Sequence, residues 1–243
     1  MSPVPSLFPL RRNRLQPRLW RHHLPLLLIS FLCVAALYST RPPQEDVISR
    51  ASFATAYPAL VLLAATLLIG PWNWIRSKPN PVSSDLRRDL GIWAGILALV
   101  HTAVGQCVHL RGRPWLYYVY GPGEHHHGLR HDAFGFANFT GAASALLVIA
   151  LLATSNDYSL RRLGTRGWKK LQRWNYAVFA LAAVHALLYQ EGVETQKAGF
   201  VAIVLACIVF TIALQSVVFL RRRRDTSNVA RRPPEMTEQK PVR

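Results

Sequence analysis

The chain alternates between long apolar blocks and short polar connections that are basic or rich in Pro and Gly. A helix of roughly 20 mostly apolar residues crosses a bilayer core about 30 Å thick. Such blocks predict six transmembrane helices, over residues 24–40, 51–70, 90–110, 133–154, 171–190 and 197–220. This pattern is typical of an all-α, polytopic membrane protein with a six-transmembrane-helix bundle, and not of a soluble domain.

The same pattern divides the chain into three parts. We expect a basic cytoplasmic tail over 1–23, a transmembrane domain over 24–220 and a basic disordered cytoplasmic tail over 221–243. The first apolar block could also be the core of a signal peptide. Its basic lead is long for that role, however, and the following "LYST" offers no A-x-A cleavage site, so a retained span is expected.

The net charge of +17 would suit a nucleic-acid partner, so the positions of the basic residues decide its meaning. One alternate set of connections holds 23 of the 29 Lys and Arg residues: 1–23, 71–89, 155–173 and 221–243. This asymmetry is the positive-inside pattern of membrane proteins. It predicts a multi-pass protein of the plasma (cytoplasmic) membrane with both termini in the cytoplasm, in contact with lipid and without a nucleic-acid partner.

Cysteine spacing does not indicate a structural metal site. Cys33, Cys107 and Cys207 fall in or at the ends of apolar blocks and form no CxxC pair. Structural disulfides and a cysteine-based zinc site are therefore not expected.

Two histidines are predicted to lie deep in the bilayer at the same level. His101 follows Arg88 by 13 residues and His185 follows Arg173 by 12, which places them roughly 20 Å and 18 Å from the basic edge at 1.5 Å per residue. Intramembrane histidines usually face the bundle interior or a functional cavity. Two facing imidazoles at one height suit the iron of a bis-histidine haem; alternatively, each hydrogen-bonds a neighbouring helix.

Small residues surround both histidines. On the third predicted helix they recur at helical spacing, and on the fifth they are alanines: Gly91, Gly95, Ala98, Thr102, Gly105, Ala180, Ala182, Ala183 and Ala186. Such stripes leave room for a flat macrocycle, but they also serve plain helix packing in membranes.

Other histidines are assigned lesser roles. His109 lies eight residues beyond His101 without a matching histidine on the fifth helix, so we interpret it as an interfacial side chain, with ligation as the alternative. The loop sequence "EHHHGLRHD" (124–132) contains His125, His126, His127 and His131. His127 and His131 would share a face if the loop were helical, which leaves metal binding open.

Two stretches resemble a known family. They are "RRDLGIWAGILALVHT" (87–102) and "LLVIALLATSNDYSLRRLGTRGWKKLQRWNYAVFALAAVHALLY" (146–189). They are similar to the ferric reductase-like transmembrane domain superfamily, which includes the MsrQ (YedZ) haem-binding membrane subunits, metalloreductases and the membrane part of NADPH oxidases. The resemblance covers about residues 50–215.

The resemblance implies that His101 and His185 are the axial ligands of an outer b-type haem. Family members commonly carry a second histidine thirteen residues earlier on the same helix, and here that position is Gln172. Arg87 and Arg88 occupy the corresponding height on the third helix. We therefore expect one haem b and not two.

The expected function is electron transfer by the haem component of an oxidoreductase system. The sequence after the last span contains no G-x-G-x-x-G, so the electron donor would be a separate flavoprotein, a bound flavin or a quinol, although no motif supports a flavin. The outer-face acceptor would be a protein or a ferric chelate. Two alternatives are a haem-less scaffold or assembly protein of the same fold, and a proton-coupled transporter.

Overall fold

The protein is almost entirely helical in a computed structural model that describes residues 15–77, 81–110, 112–192 and 198–230. Its α-helices are α1 (Leu15–Arg18), α2 (Leu24–Ser39), α3 (Val47–Ile75), α4 (Pro81–Gly105), α5 (Ala133–Ala153), α6 (Asp157–Gln172), α7 (Asn175–Gly192) and α8 (Ala198–Ala230). A π-helical turn, Leu19–His23, joins α1 to α2, and a 3-10 turn, Pro114–Tyr117, lies between α4 and α5. The predicted all-α fold is confirmed.

Among the residues that the structure describes, four helical segments are long and apolar enough to cross a bilayer: Leu19–Ser39, Val47–Ile75, Ala133–Ala153 and Gly199–Thr226. The other two long helices, α4 and α7, carry more polar residues, including the two deep histidines. The chain is therefore a membrane protein, and the full count of six spans stays a prediction.

Helix α3 lies at the centre of the bundle. It packs against α4, α8 and α2, while α5 pairs with α7 and also contacts α4. Side chains such as Leu67 and Val178 are buried where these helices meet. Large apolar side chains on the outside of the bundle, including Phe31 and Phe210, are mostly exposed, as expected for helices surrounded by lipid tails.

Local signals explain where several helices begin. Asp46 caps α3 by accepting hydrogen bonds from the amides of Ile48 and Ser49, and Asp132 caps α5 by accepting from Gly135. These carboxylates satisfy amides that have no partner within the helix.

A buried ionic cluster fixes the N-terminal helix to α4. Asp89 is fully buried on α4 and pairs with Arg18 and with the imidazole of His22, whose Nδ1 lies 2.7 Å from the Asp89 carboxylate. A buried carboxylate needs such partners to offset its lost hydration. This helix begins by Leu15, inside the segment 1–23 that was predicted to be a tail, and residues 1–14 lie outside the described part.

Two other segments are more helical than the sequence suggests. The basic connection 155–173 forms the amphipathic helix α6, with a kink where Gly164 has a φ of 67°. Helix α8 continues to Ala230, past the predicted end of the last span at residue 220. Disorder predicted over 231–243 lies outside the described residues.

Candidate functional site between α4 and α7

The imidazole rings of His101 and His185 face each other across the interior of the bundle. His101 lies on α4 and His185 on α7, and their ring centroids are 6.0 Å apart with an angle of 72° between the planes. The structure thus brings together the two histidines that the sequence placed at one depth, on the helices predicted to carry them.

Each imidazole is oriented by a backbone carbonyl on a neighbouring helix. His101 Nδ1 lies 2.9 Å from the carbonyl oxygen of Ser52 on α3, and His185 Nδ1 lies 2.7 Å from that of Ala137 on α5. Because a carbonyl oxygen only accepts, Nδ1 carries the hydrogen in both rings. This leaves each Nε2 with its lone pair, in the form that binds a metal.

The rings border a cavity of about 640 Å³ that runs along the bundle interior. This volume is within the usual range for cofactor sites, about 300–1,000 Å³. The cavity extends from His109 and Tyr189, near the α4–α5 loop, to Arg87, Gln172 and Arg222 at the opposite end. We call these the loop end and the basic end.

Small residues create the space beside the two rings. The whole predicted stripe of α4 lines the cavity, as do Ala182 and Ala186 on α7. On α5, a Cβ at Gly141 would lie 2.7 Å from His185 Nδ1, which is too close for any real side chain. Gly141 is therefore required for the observed position of His185, and the sequence did not single it out.

The donor set fits a haem better than a bare metal ion. Within the described residues, no group of three or more His, Cys, Asp or Glu side chains is arranged to hold a metal. A haem supplies four nitrogens of its own and needs only two axial ligands from the protein. The two ring centroids lie 6.0 Å apart, so His101 and His185 would both be within reach of one group held between them.

The position expected for an inner histidine ligand has a structural role here. The Gln172 amide donates to Ser155 Oγ (3.3 Å), and its Oε1 accepts from Asn175 Nδ2 (3.0 Å). Arg88, the neighbouring side chain on α4, donates to the Ser155 carbonyl oxygen (2.8 Å) and pairs with Asp157. These bonds join α4, the α5–α6 connection, α6 and α7, and they supply no imidazole.

His109 lies at the loop end of the same cavity, among aromatic rings. It stacks on Tyr189 with centroids 6.2 Å apart and contacts Phe134 and Tyr117. Tyr189 lies one helical turn beyond His185 and donates to Asn138 Oδ1 (3.0 Å). Sequence reasoning missed Tyr189 and Asn138, although the i, i+4 spacing from His185 places Tyr189 on the same face of α7.

The loop histidines lie away from this cavity. His126 and His131 contact each other, with ring centroids 5.0 Å apart, and both contact Tyr120. Beside them, the hydrogen bond from Arg130 lowers the pKa of the Asp132 carboxyl. His127 and His131 are in a loop and do not share a helical face.

Comparison with known proteins places the chain in a family. Residues 55–183 match the family described as "Ferric reductase like transmembrane component", and this segment is more than half of the chain. The chain belongs to this family. The match includes His101 and ends two residues before His185, and it confirms the resemblance seen in the sequence.

The curated relatives are haem-binding subunits by name. The chain is similar to "Protein-methionine-sulfoxide reductase heme-binding subunit MsrQ" of Yersinia pseudotuberculosis serotype O:1b (strain IP 31758), with 33% identity over 135 residues, 55% of this chain and 59% of the relative. The protein of the same name from Yersinia pestis (strain Pestoides F) is 33% identical over 135 residues, 55% of this chain and 58% of the relative. The chain therefore spans less than two thirds of the length of these relatives.

Proposed function

We propose that this protein is the haem-binding, electron-transfer subunit of a membrane oxidoreductase, with His101 and His185 as axial ligands of one haem b. The observation that carries the proposal is the pair of facing imidazoles, 6.0 Å apart, each with Nδ1 directed at a carbonyl oxygen. The names of the relatives, heme-binding subunits, support the same cofactor.

The protein's contribution is to hold and orient the ligands. The carbonyl groups of Ser52 and Ala137 fix the hydrogen on each Nδ1, so Nε2 points into the cavity as a neutral donor. Leu60 and Val148 are among the apolar residues that line the same space. A bound haem supplies the one-electron chemistry, and its ligands and surroundings set the reduction potential.

Gln172 and Arg88 support a single haem. Both side chains are engaged in the hydrogen bonds that join α6 and α7 to the rest of the bundle. A second bis-histidine site at the basic end would need two imidazoles that the described cavity lining does not contain.

The proposed subunit passes electrons to an acceptor on the outer face of the plasma membrane. We place both termini and the basic end in the cytoplasm, following the distribution of Lys and Arg, with a flavoprotein or quinol as the donor. The acceptor lies at the loop end. The name of the relatives favours a methionine-sulfoxide reductase protein there, with a ferric chelate as the alternative, and the substrate-reducing site would belong to that partner.

The test is the visible spectrum of the purified protein from haem-supplied cells, oxidised and dithionite-reduced, with haem quantified per chain. We expect a low-spin b-type spectrum at one haem per chain, abolished by His101→Ala or His185→Ala. The control is His127→Ala, which removes an exposed loop histidine and should leave the spectrum unchanged. Colourless wild-type protein would contradict the proposal and favour a haem-less scaffold.

A further inference from the structure

The basic end of the cavity is a chamber lined by cations from several helices. They are Arg87, Arg88, Lys169, Arg173 and Arg222. No Asp or Glu lines this cavity in the part of the chain that the structure describes. The chamber is thus a concentration of positive charge that the haem ligands do not use.

Two of the arginines converge on one turn of α3. The Arg87 guanidinium, from α4, lies against Gly70, where an added Cβ would be 3.6 Å from Arg87 Nη1. The Arg222 guanidinium, from α8, lies over the Trp74 ring, 5.3 Å from its centroid. Gly70 and Trp74 are four residues apart on the same helical face, so both cations lie along the last turns of α3.

The opposite wall of the chamber carries two further cations, and it also carries Arg88, whose charge is already balanced by a carboxylate. Lys169 and Arg173 border the chamber near the α6–α7 junction. Arg88 is neutralised by Asp157, 2.7 Å away. Tyr176 also lines the cavity, and its hydroxyl accepts a hydrogen bond from Gln215 (2.9 Å).

Beyond the cations, the cavity wall becomes apolar toward the histidines. Leu63, Val148, Leu151, Leu152 and Val178 line this middle section. A haem held by His101 and His185 would occupy this section, so a second ligand would reach the cations from outside the bundle. Lys169, Arg173 and Arg222 are exposed, which opens the chamber to the headgroup layer around the bundle. A phospholipid meets this condition, because its acyl chains stay in the surrounding bilayer while its phosphate reaches the cations.

We propose that the basic chamber binds the phosphate group of an acidic phospholipid from the adjoining leaflet, with Arg87 and Arg222 as its principal contacts. Guanidinium groups are suited to phosphate because their N–H donors form paired, charge-assisted hydrogen bonds. Basic pockets between transmembrane helices bind acidic lipid headgroups.

The experiment measures lipid retention by the full-length protein by native mass spectrometry. The protein is purified in detergent and incubated with phosphatidylglycerol or with phosphatidylcholine of the same chain length. The test variant is Arg87→Gln/Arg222→Gln. The matched control is Arg161→Gln/Arg166→Gln, which removes the same charge from exposed positions on α6 that do not line the cavity.

We expect selective retention of phosphatidylglycerol by the wild type and the control, and a loss of roughly tenfold or more in the test variant. A helical circular dichroism spectrum equal to that of the wild type shows that the test variant is folded. Equal retention in the two double variants, or no preference over phosphatidylcholine, would overturn the proposal. Displacement of the lipid by an equal concentration of inorganic phosphate would overturn the lipid assignment, because a headgroup anchored by acyl chains should resist it.

Discussion

The hydrogen bonds of His101 and His185 define what these side chains can do. A neutral imidazole has one nitrogen with a hydrogen and one with a lone pair. The Ser52 and Ala137 carbonyl oxygens select Nδ1 for the hydrogen in both cases. The position of the His185 ring depends in turn on how closely the backbone of α5 approaches it at Gly141.

Substitution of Gly141 by Ala should displace His185 and weaken haem binding. The new Cβ would lie 2.7 Å from His185 Nδ1 and 2.9 Å from Cε1, so the ring must move away from the Ala137 carbonyl. Changes in the groups that orient a metal ligand typically lower metal affinity about 10–100-fold. Haem titration of the purified variant measures this loss.

Gly199→Ala provides the matched control, since nothing lies within 4 Å of a Cβ at Gly199. It should bind haem like the wild type. Unchanged affinity in Gly141→Ala would show that the ring tolerates the displacement and that its observed position is not needed for binding.

At the scale of helices, the α6–α7 junction is a hydrogen-bonded joint at the position where the family resemblance predicts a second histidine. Gln172 links Ser155 to Asn175, and Arg88 adds the beginning of α4 through Ser155 and Asp157. These bonds help to fix the position of the beginning of α7, the helix that carries His185, relative to α4. The side chains of the joint also form one wall of the basic chamber.

Restoring the family histidine with Gln172→His should not create a second bis-histidine haem. An imidazole at position 172 would face the region of Arg87 and Arg88 on α4, and neither arginine is a haem ligand. The expected haem content stays at one per chain, measured by haem extraction and protein assay.

The double variant Gln172→His/Arg88→His supplies both imidazoles and breaks the pair with Asp157. Its haem content per chain is compared with that of the single variant Gln172→His. Two haems per chain in Gln172→His alone would show that α4 offers a ligand that the structure does not indicate.

At the scale of the whole molecule, basic residues collect at one end of the bundle. Helix α6 has its cationic side chains exposed there, and the last turns of α8 carry Arg221–Arg224 beside the end of α3. Opposite charge on phospholipid headgroups and the positive-inside bias favour the cytoplasmic leaflet for this end.

A fluorescent protein that folds only in the cytoplasm, fused to the C terminus, should therefore be fluorescent. The same reporter inserted after Gly123, in the α4–α5 loop at the other end, should be dark because that loop is expected on the outer side. Comparable expression of both fusions by immunoblot is the control. The reverse pattern would contradict the orientation and would exchange the donor and acceptor sides proposed above.

The linear sequence determined the membrane class of the protein and predicted a common depth for His101 and His185. Apolar block length reflects the bilayer thickness, and the rise per residue converts the distances from Arg88 to His101 and from Arg173 to His185 into heights. It also identified the family and the absence of a histidine at position 172. Boundaries were less accurate where polar residues form helix, as in α6 and the end of α8.

Only the tertiary structure decided which groups meet across the bundle. Ala137 and His185 are 48 residues apart, and Gly70, Trp74, Arg87 and Arg222 come from three different helices. Helical periodicity and hydropathy are local properties that set which face of a helix is buried. The partner of that face depends on how all the helices pack, so the carbonyl groups behind the histidines and the basic chamber appear only in the folded bundle.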